Sequence, residues 1–440
     1  MKKLFVIIAT VLLLPGISMA DSMFLVDQGA SGTGKAGILA DSVRDGSALF
    51  YNPAALSLVR NFDFEATVSF HFPSLSYSTE SSNQYDASKN VLLPVSMFFT
   101  LPVGQKMTLG IGLTTPTDVK NSWGDNFPGR FAASQYQLMT NAISIGAGYQ
   151  FGNRFRLGFS VDYNRTSLKF QNALVAPYYN FIGGEDNELL GFYETAGSVD
   201  ESNTGMGYTA GMSWNIFQKW SVSVVYKSKV DFEFADMPVT FSQHTQLNIP
   251  NAVEAFNREF GGISTTMNSI FQMPASGTIG ISYHPSNRWT IEVDFATYMF
   301  SDLEVPFFDY VNAPASAVDR GMTQKWSDMN MCGFSLDYTA TKKIRLMGGM
   351  RYASDTIPYN DMSPAMPSGE KFWISLGLSY LDKGNGWSLA LQFKSYRDHS
   401  VTGQEYQISP LEPGYLEHLN TSGLYDLNET GFSITYHHRF

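Results

Sequence analysis

A single cysteine, Cys332, stands in a chain of 440 residues. That scarcity excludes intrachain disulfides and thiolate metal clusters, and a lone small thiol reads as an apolar filler. Charge is sparse too, at 16% Asp, Glu, Lys and Arg, less than a soluble exported protein normally carries. Basic residues are outnumbered, 29 against 40 acidic ones, for a net charge of −11; such a chain is a poor partner for nucleic acid. Long apolar runs are missing: Leu4 to Leu14 is apolar, but no comparable stretch of about 18 residues follows, so nothing reads as a transmembrane helix. Linkers, low-complexity tracts and composition breaks are absent, which favours one continuous architecture. No nucleophile elbow, one-faced Ser-His pair or metal-ligand spacing occurs, so the sequence predicts no catalytic residue, no metal site and no cofactor.

What is present points to export. Lys2 and Lys3, the apolar run and Ser18-Met19-Ala20 spell a signal peptide over residues 1–20, with the mature chain beginning at Asp21. Aromatic residues reach 14%, with 33 Phe and 23 Tyr, a composition that suits a membrane barrel with aromatic girdles. Several segments alternate with period two. From Trp289 to Phe300, Trp289, Ile291, Val293, Phe295 and Met299 share one face, while Thr290, Glu292, Asp294 and Ala296 share the other. Segments 155–164 and 343–352 repeat the pattern. A charged face is costly inside a soluble sandwich, whereas a wet or plugged lumen accepts it.

Fourteen such strands are predicted near 62–78, 91–103, 106–116, 137–151, 154–169, 204–216, 219–232, 274–285, 288–303, 327–339, 343–354, 371–381, 386–397 and 429–440. An even number closes into a barrel without an exposed edge. Tight turns at Gly104-Gln105, Gly152-Asn153, Phe217-Gln218, Pro285-Asn287, Ala340-Lys342 and Asp382-Asn385 alternate with longer links, three of them much longer: Gln171 to Asn203, Phe234 to Met273 and Ser400 to Asn428. Short periplasmic turns with long external loops are the outer-membrane pattern. His437 and His438 fall on opposite faces of the last strand and read as interfacial side chains rather than metal ligands.

Gly29-Ala-Ser-Gly-Thr-Gly-Lys35-Ala36 nearly spells a phosphate-binding loop. Ala36 replaces the hydroxyl that would hold magnesium, and no βαβ unit follows, so the glycines Gly29, Gly32, Gly34 and Gly37 read better as backbone packed in a confined space. This stretch, continuing through Asp45-Gly-Ser-Ala-Leu-Phe-Tyr-Asn52-Pro53-Ala54, resembles the N-terminal plug of the FadL/OmpP1/TodX-type outer-membrane transporters. Gly112-Leu-Thr-Thr-Pro116, Trp123, Pro128-Gly-Arg-Phe131, Trp326-Ser-Asp328 and Phe372 to Gly377 extend the resemblance over nearly the whole chain.

The resemblance implies a 14-stranded antiparallel outer-membrane β-barrel: a hatch at about 21–60 inside the lumen, and a barrel over 61–440. It also implies uptake of long-chain fatty acids, or of aromatic hydrocarbons as in the TodX-like branch; a general porin and a barrel enzyme are the remoter readings. The expected partners are the hydrophobic ligand, outer-membrane lipid and lipopolysaccharide, and the barrel-assembly machinery acting on the strand ending at Phe440. A monomer is the family expectation.

Three site groups follow. Val253, Phe256, Phe260, Ile263, Met267 and Ile270 recur at spacings of three and four as one oily helical stripe broken near Gly261-Gly262; in the family, external loops of this kind capture ligand, and packing against the barrel rim is the equal alternative. Arg351 and Lys394, with Lys169 as a lesser candidate, are the lumen cations offered to a carboxylate, against structural pairing with Glu292, Asp294 or a plug aspartate. Gly110, Gly112 and Pro116 lie in the third strand, which in the family is kinked to let ligand leave sideways, and Pro cannot donate a ladder hydrogen bond.

Overall fold

The computed structural model describes residues 25, 27–182, 185–243, 252–304, 306–314, 317, 320–321, 326–357, 362–401, 405–407, 418–420 and 422–440. The expected signal peptide and the first hatch residues lie outside them.

Fourteen strands close into a barrel. They are β1 (Asp63–Thr79), β2 (Val95–Val103), β3 (Met107–Ser122), β4 (Gln135–Phe151), β5 (Phe155–Ile182), β6 (Glu185–Phe217), β7 (Trp220–Lys227), β8 (Ser276–Ser286), β9 (Trp289–Tyr298), β10 (Met329–Thr339), β11 (Ile344–Ala353), β12 (Lys371–Asp382), β13 (Asn385–Tyr396) and β14 (Gly423–Arg439). Each pairs antiparallel with the next, and β14 returns to β1 from Asp63–Arg439 through Thr79–Gly423. Closure leaves no free edge strand in the wall, the condition for leaving water.

The faces follow the alternation. Ile143, Ile145, Phe159, Val161, Val293 and Phe295 are exposed on the outer wall, whereas Glu292 and Asp294 are buried inward. Trp214, Trp220, Trp289 and Trp387 are exposed near the short turns, the depth at which amphipathic rings favour the membrane interface. Cys332 faces outward between Phe295 and Tyr352 of the flanking strands. His437 turns inward, 2.8 Å from the Ser388 hydroxyl, and His438 lies against Phe440 outside.

Two expectations about the links are corrected. The span from Gln171 to Asn203 is not a loop: β5 and β6 continue as a paired hairpin to Ile182 and Glu185. Its arms satisfy each other's backbone, so the ladder needs no lipid-facing pattern to persist. The strand expected over 219–232 ends at Lys227, and the chain leaves the wall to form Val230–Pro238. That strand belongs to a separate external sheet with Thr266–Met273, Phe307–Val311 and Arg320–Gly321.

The N-terminal segment fills the barrel. Helix α1 (Gly29–Gly34) lies against β12, β13 and β14, while a 3₁₀ turn at Pro53–Leu58 lies against β3 to β6. Between them stands the short helix α2 (Ala48–Tyr51). Above this hatch, Ile38 joins Phe170, Phe232, Phe308, Met366 and Trp373 in the largest apolar cluster among the described residues.

Candidate functional site

The hatch is held by the barrel's inner hydroxyls and acids. Thr33 and the backbone of Ala30 bond Ser433 and Thr435 of β14 at 2.7 and 2.9 Å. The amides of Asp41 and Ser42 donate to Glu292 at 2.6 and 3.0 Å, and the Asp41 carboxylate accepts from Ser221 and Ser223. Asn52 explains the Asn-Pro-Ala element. Its side-chain oxygen accepts from the Ala54 amide at 3.0 Å, capping the 3₁₀ turn, and its amide donates to Ala40 at 2.6 Å and Ser213 at 3.1 Å. Pro53 occupies the first position of the turn, where no amide is needed. The wall is shaped to receive it: at Gly148, Gly158 and Gly211 even a Cβ would collide with Asn52, Pro53 or Ala54.

Lys35, the would-be phosphate lysine, is fully buried, 2.5 Å from the Ser42 hydroxyl and 3.8 Å from Asp337. Burial pulls its ammonium down from the ordinary lysine value, and Asp337 works against that pull. The glycines around Lys35 lie at close approaches: Gly34 meets Gly377 of β12, and Gly32 leaves room for the Tyr51 hydroxyl.

The third strand is broken where the sequence placed Pro116. Its pairing with β2 ends at Met97–Leu113, and its register with β4 slips between Thr114 and Thr117. Thr114 to Val119 are buried without alternation, so here the wall folds inward. The hatch takes over as partner. Gln28 pairs its side-chain amide with the Thr115 backbone, donating at 2.9 Å and accepting at 3.3 Å, and the Leu25 amide donates to Pro116 at 2.9 Å. The Tyr51 hydroxyl steadies Gln28 by bonding its backbone at 2.7 and 3.0 Å. Gly110 and Gly112 sit just below, facing Leu56 and Leu49 of the hatch.

A cavity of about 690 Å3, mouth included, adjoins this break. Leu25, Leu49, Phe50, Pro116, Val230 and Met273 supply its apolar wall, with Lys227 facing in. A second cavity of about 420 Å3 shares Phe50, Lys227, Ser276 and Tyr298 with it and reaches Asp294 and Arg351. The Lys227 ammonium lies 3.4 Å from the centroid of the Phe50 ring, a cation–π contact, and joins no carboxylate in an ion pair among the described residues.

The cations expected from sequence part company here. Arg351 lines the second cavity; it lies 3.6 Å from Asp294, donates to the Gly37 carbonyl at 3.2 Å, and its Nε has no acceptor. Lys394 faces inward but is buried in a network, 2.9 Å from Glu429 and 3.9 Å from Asp27, with His71 2.7 Å from Glu429 and Gln392 2.6 Å from Asp27. Lys169 is not in the lumen. Leu168 and Phe170 point inward, so parity turns Lys169 to the outer face, 2.5 Å from Asp200 of β6. Lys227 was missed because the predicted strand ran straight through it; ending that strand at the residue would have exposed a cation at its inner upper end.

The oily stripe divides. Helix α3 (Ala252–Phe260) carries Val253, Phe256 and Phe260, but Met267 and Ile270 lie on the strand Thr266–Met273, and Ile263 lies between the two. Phe260 packs on Phe241 and, with Ala255, joins Ala176 and Tyr193. Met267 is fully buried, while Val253 is 65% and Ile263 41% exposed. Helical spacing carried across the Gly261-Gly262 turn was a coincidence of period.

The family model described as outer membrane protein transport protein (OMPP1/FadL/TodX) matches residues 11–388. The long-chain fatty acid transport protein of Escherichia coli (strain K12) is 20% identical over 384 residues, 80% of this chain and 82% of its own. Outer membrane protein P1 of Haemophilus influenzae is 21% identical over 418 residues, 85% and 86% of the two chains. The crystal structure of a Pseudomonas aeruginosa FadL homologue superposes with a TM-score of 0.78 at 16% identity, over 96% of this chain and 100% of that one. The Pseudomonas putida toluene transporter TodX gives 0.73 at 17% identity, over 94% and 99%. These two likenesses establish the fold and leave the ligand to the chemistry of the lumen.

Proposed function

Because this chain belongs to the outer membrane protein transport family OMPP1/FadL/TodX, whose members carry hydrophobic compounds across the outer membrane, we propose that its ligand is a long-chain fatty acid. The observation that carries the reading is the pairing of an apolar wall with two cations. Lys227 forms no ion pair among the described residues, with Asp162 of the same cavity the carboxylate that attracts it from a distance, and Arg351 keeps a buried Nε without an acceptor. A hydrocarbon needs neither group. A carboxylate held by either, away from bulk water, gains a charge-assisted hydrogen bond.

Capture falls to Val253 and Ile263, the exposed part of the loop stripe. Ligand then moves through the apolar upper lumen to the cavity beside β3 and leaves through the break that Leu25 and Gln28 cover. The reading assigns the chain no catalytic step. It has the chain act as a monomer, inserted through the strand ending at Phe440.

The test is oleate titration of the folded barrel with Lys227→Met and Arg351→Met. A charged-group hydrogen bond is worth about 1.5–3 kcal/mol, so each variant is expected to weaken oleate roughly tenfold or more. Binding of toluene should not change. Oleate affinity equal to wild type in both variants would remove the carboxylate site and move the ligand to the aromatic hydrocarbons.

A further inference from the structure

A third cavity opens at the opposite end of the lumen, below the hatch and among the short turns, with a volume of about 710 Å3 including its mouth. Five permanent cations line it: Arg44 of the hatch, Lys342 and Lys343 of the β10–β11 turn, Arg345 of β11 and Arg439 at the end of β14. Asp45 is the acid among the described lining residues. In a chain of net charge −11, this local sign runs against the composition.

Structural pairing accounts for three of the five cations. The Nε of Arg345 holds both Asp337 oxygens at 2.8 and 2.6 Å, Lys343 lies 2.6 Å from Asp382, and Arg439 lies 3.2 Å from Asp63. Two cations are left over. Arg44 directs Nη1 to the carbonyls of Asp41 and Val43 at 2.6 and 2.7 Å, which orients the guanidinium without cancelling its charge. Lys342 enters no ion pair among the described residues. Asp45 is engaged by the hydroxyls of Ser31 and Ser47.

The rest of the wall selects against a greasy ligand. Thr339, Thr341 and Ser379 place hydroxyls between the cations, the Ser31 proton being given to Asp45, and Ile344 and Leu381 are the apolar side chains of the described wall. An alkyl chain gains little there, whereas a compact anion finds hydroxyl donors and cations on several sides. We propose that this cavity binds a small hydrophilic anion of phosphate-like chemistry, and that the bound anion bridges hatch to wall. Arg44 belongs to the hatch while Lys342, Arg345 and Arg439 belong to the barrel, so the anion secures the hatch from the periplasmic side. Such groups occur free in solution and on the head groups of inner-leaflet phospholipid.

Calorimetric titration of the full folded barrel in phospholipid-free micelles tests this, with sodium pyrophosphate and glycerophosphoglycerol as probes. One saturable site is expected for at least one probe. Lys342→Glu and Arg44→Gln should each weaken it about tenfold, the scale of one lost charge-assisted contact. Lys219→Glu makes the same charge change on the β6–β7 turn, outside the cavity, and should leave affinity within about twofold, as a screened distant charge would. Tighter pyrophosphate assigns the site to free anions, and tighter glycerophosphoglycerol assigns it to head groups. Absence of saturable heat with both probes overturns the proposal. So does a Lys219→Glu loss equal to that of Lys342→Glu, which would mean bulk electrostatics. If Arg44→Gln disturbs the hatch, Lys342→Glu on its exposed turn decides alone.

Discussion

Two inward cations that parity treats alike, Arg351 and Lys394, do different work because of what surrounds them. Parity along a strand assigns a face, but the partner comes from strands and hatch residues far away in sequence: Asp27 and Glu429 for Lys394, Asp294 and Gly37 for Arg351. Lys394 is engaged by two carboxylates, and removing it takes the lysine charge away from a buried Asp27 and Glu429 that keep Gln392 and His71. Breaking a buried pair from one side costs about 3–5 kcal/mol. Lys394→Met is therefore expected to lower the urea midpoint of the refolded barrel, followed by its heat-modifiable mobility in gels, while oleate affinity per folded molecule stays at the wild-type value. A tenfold affinity loss with unchanged stability would instead make Lys394 a ligand residue.

The strands were legible because a membrane barrel imposes one rule along its whole length: apolar outward, small or polar inward, with a turn after each pass. A barrel strand appears at each of the fourteen places the alternation and the turn residues predicted, though the ends differ, most of all in β5, β6 and β7. The errors arise where that rule stops applying. Above the membrane, β5 and β6 need only each other, so their hairpin continues through residues that look like loop. The stripe from Val253 to Ile270 matched helical spacing across a turn that ends the helix at Phe260. Nothing in local sequence could reveal that Gln28 completes the ladder of a strand nearly ninety residues away. Nor could it reveal that Gly148, Gly158 and Gly211, glycines on three different strands, form the seat of one asparagine-proline pair.

The break in β3 is an element with a testable purpose. Between Thr114 and Thr117 it holds one residue more than β4 opposite it, the signature of a bulge. Deleting Pro116 removes the extra residue and the missing donor together. The strand can then pair with both neighbours and close the wall. Such a barrel should fold, since it gains ladder bonds, yet oleate uptake by cells that depend on it should fall to the level of a deletion strain. Wild-type uptake by the straightened barrel would rule out exit beside β3.

At the scale of the molecule, the barrel is closed twice. The hatch spans the lumen from β14, through Ala30 and Thr33, to β6, where Asn52 meets Ser213. Above it, Phe170, Phe232, Phe308 and Trp373 pack into an apolar cluster that also holds Ile38 of the hatch. An ion passing this section would give up its hydration to hydrocarbon side chains, and hydrophobic constrictions of this kind stay dry. A fatty acid tail makes the opposite trade, gaining about 0.8 kcal/mol for each methylene it buries. On this packing the section is expected to block ions and to favour an apolar chain, which an aqueous porin cannot do. In planar bilayers the intact barrel is expected to carry no steady current. Deleting residues 29–58 removes both the hatch and its anchor in the apolar cluster, and should leave an ohmic pore whose conductance scales with salt. Steady conductance by the intact barrel, matching that of the deletion, would show that water fills the lumen and would return the molecule to the general porins.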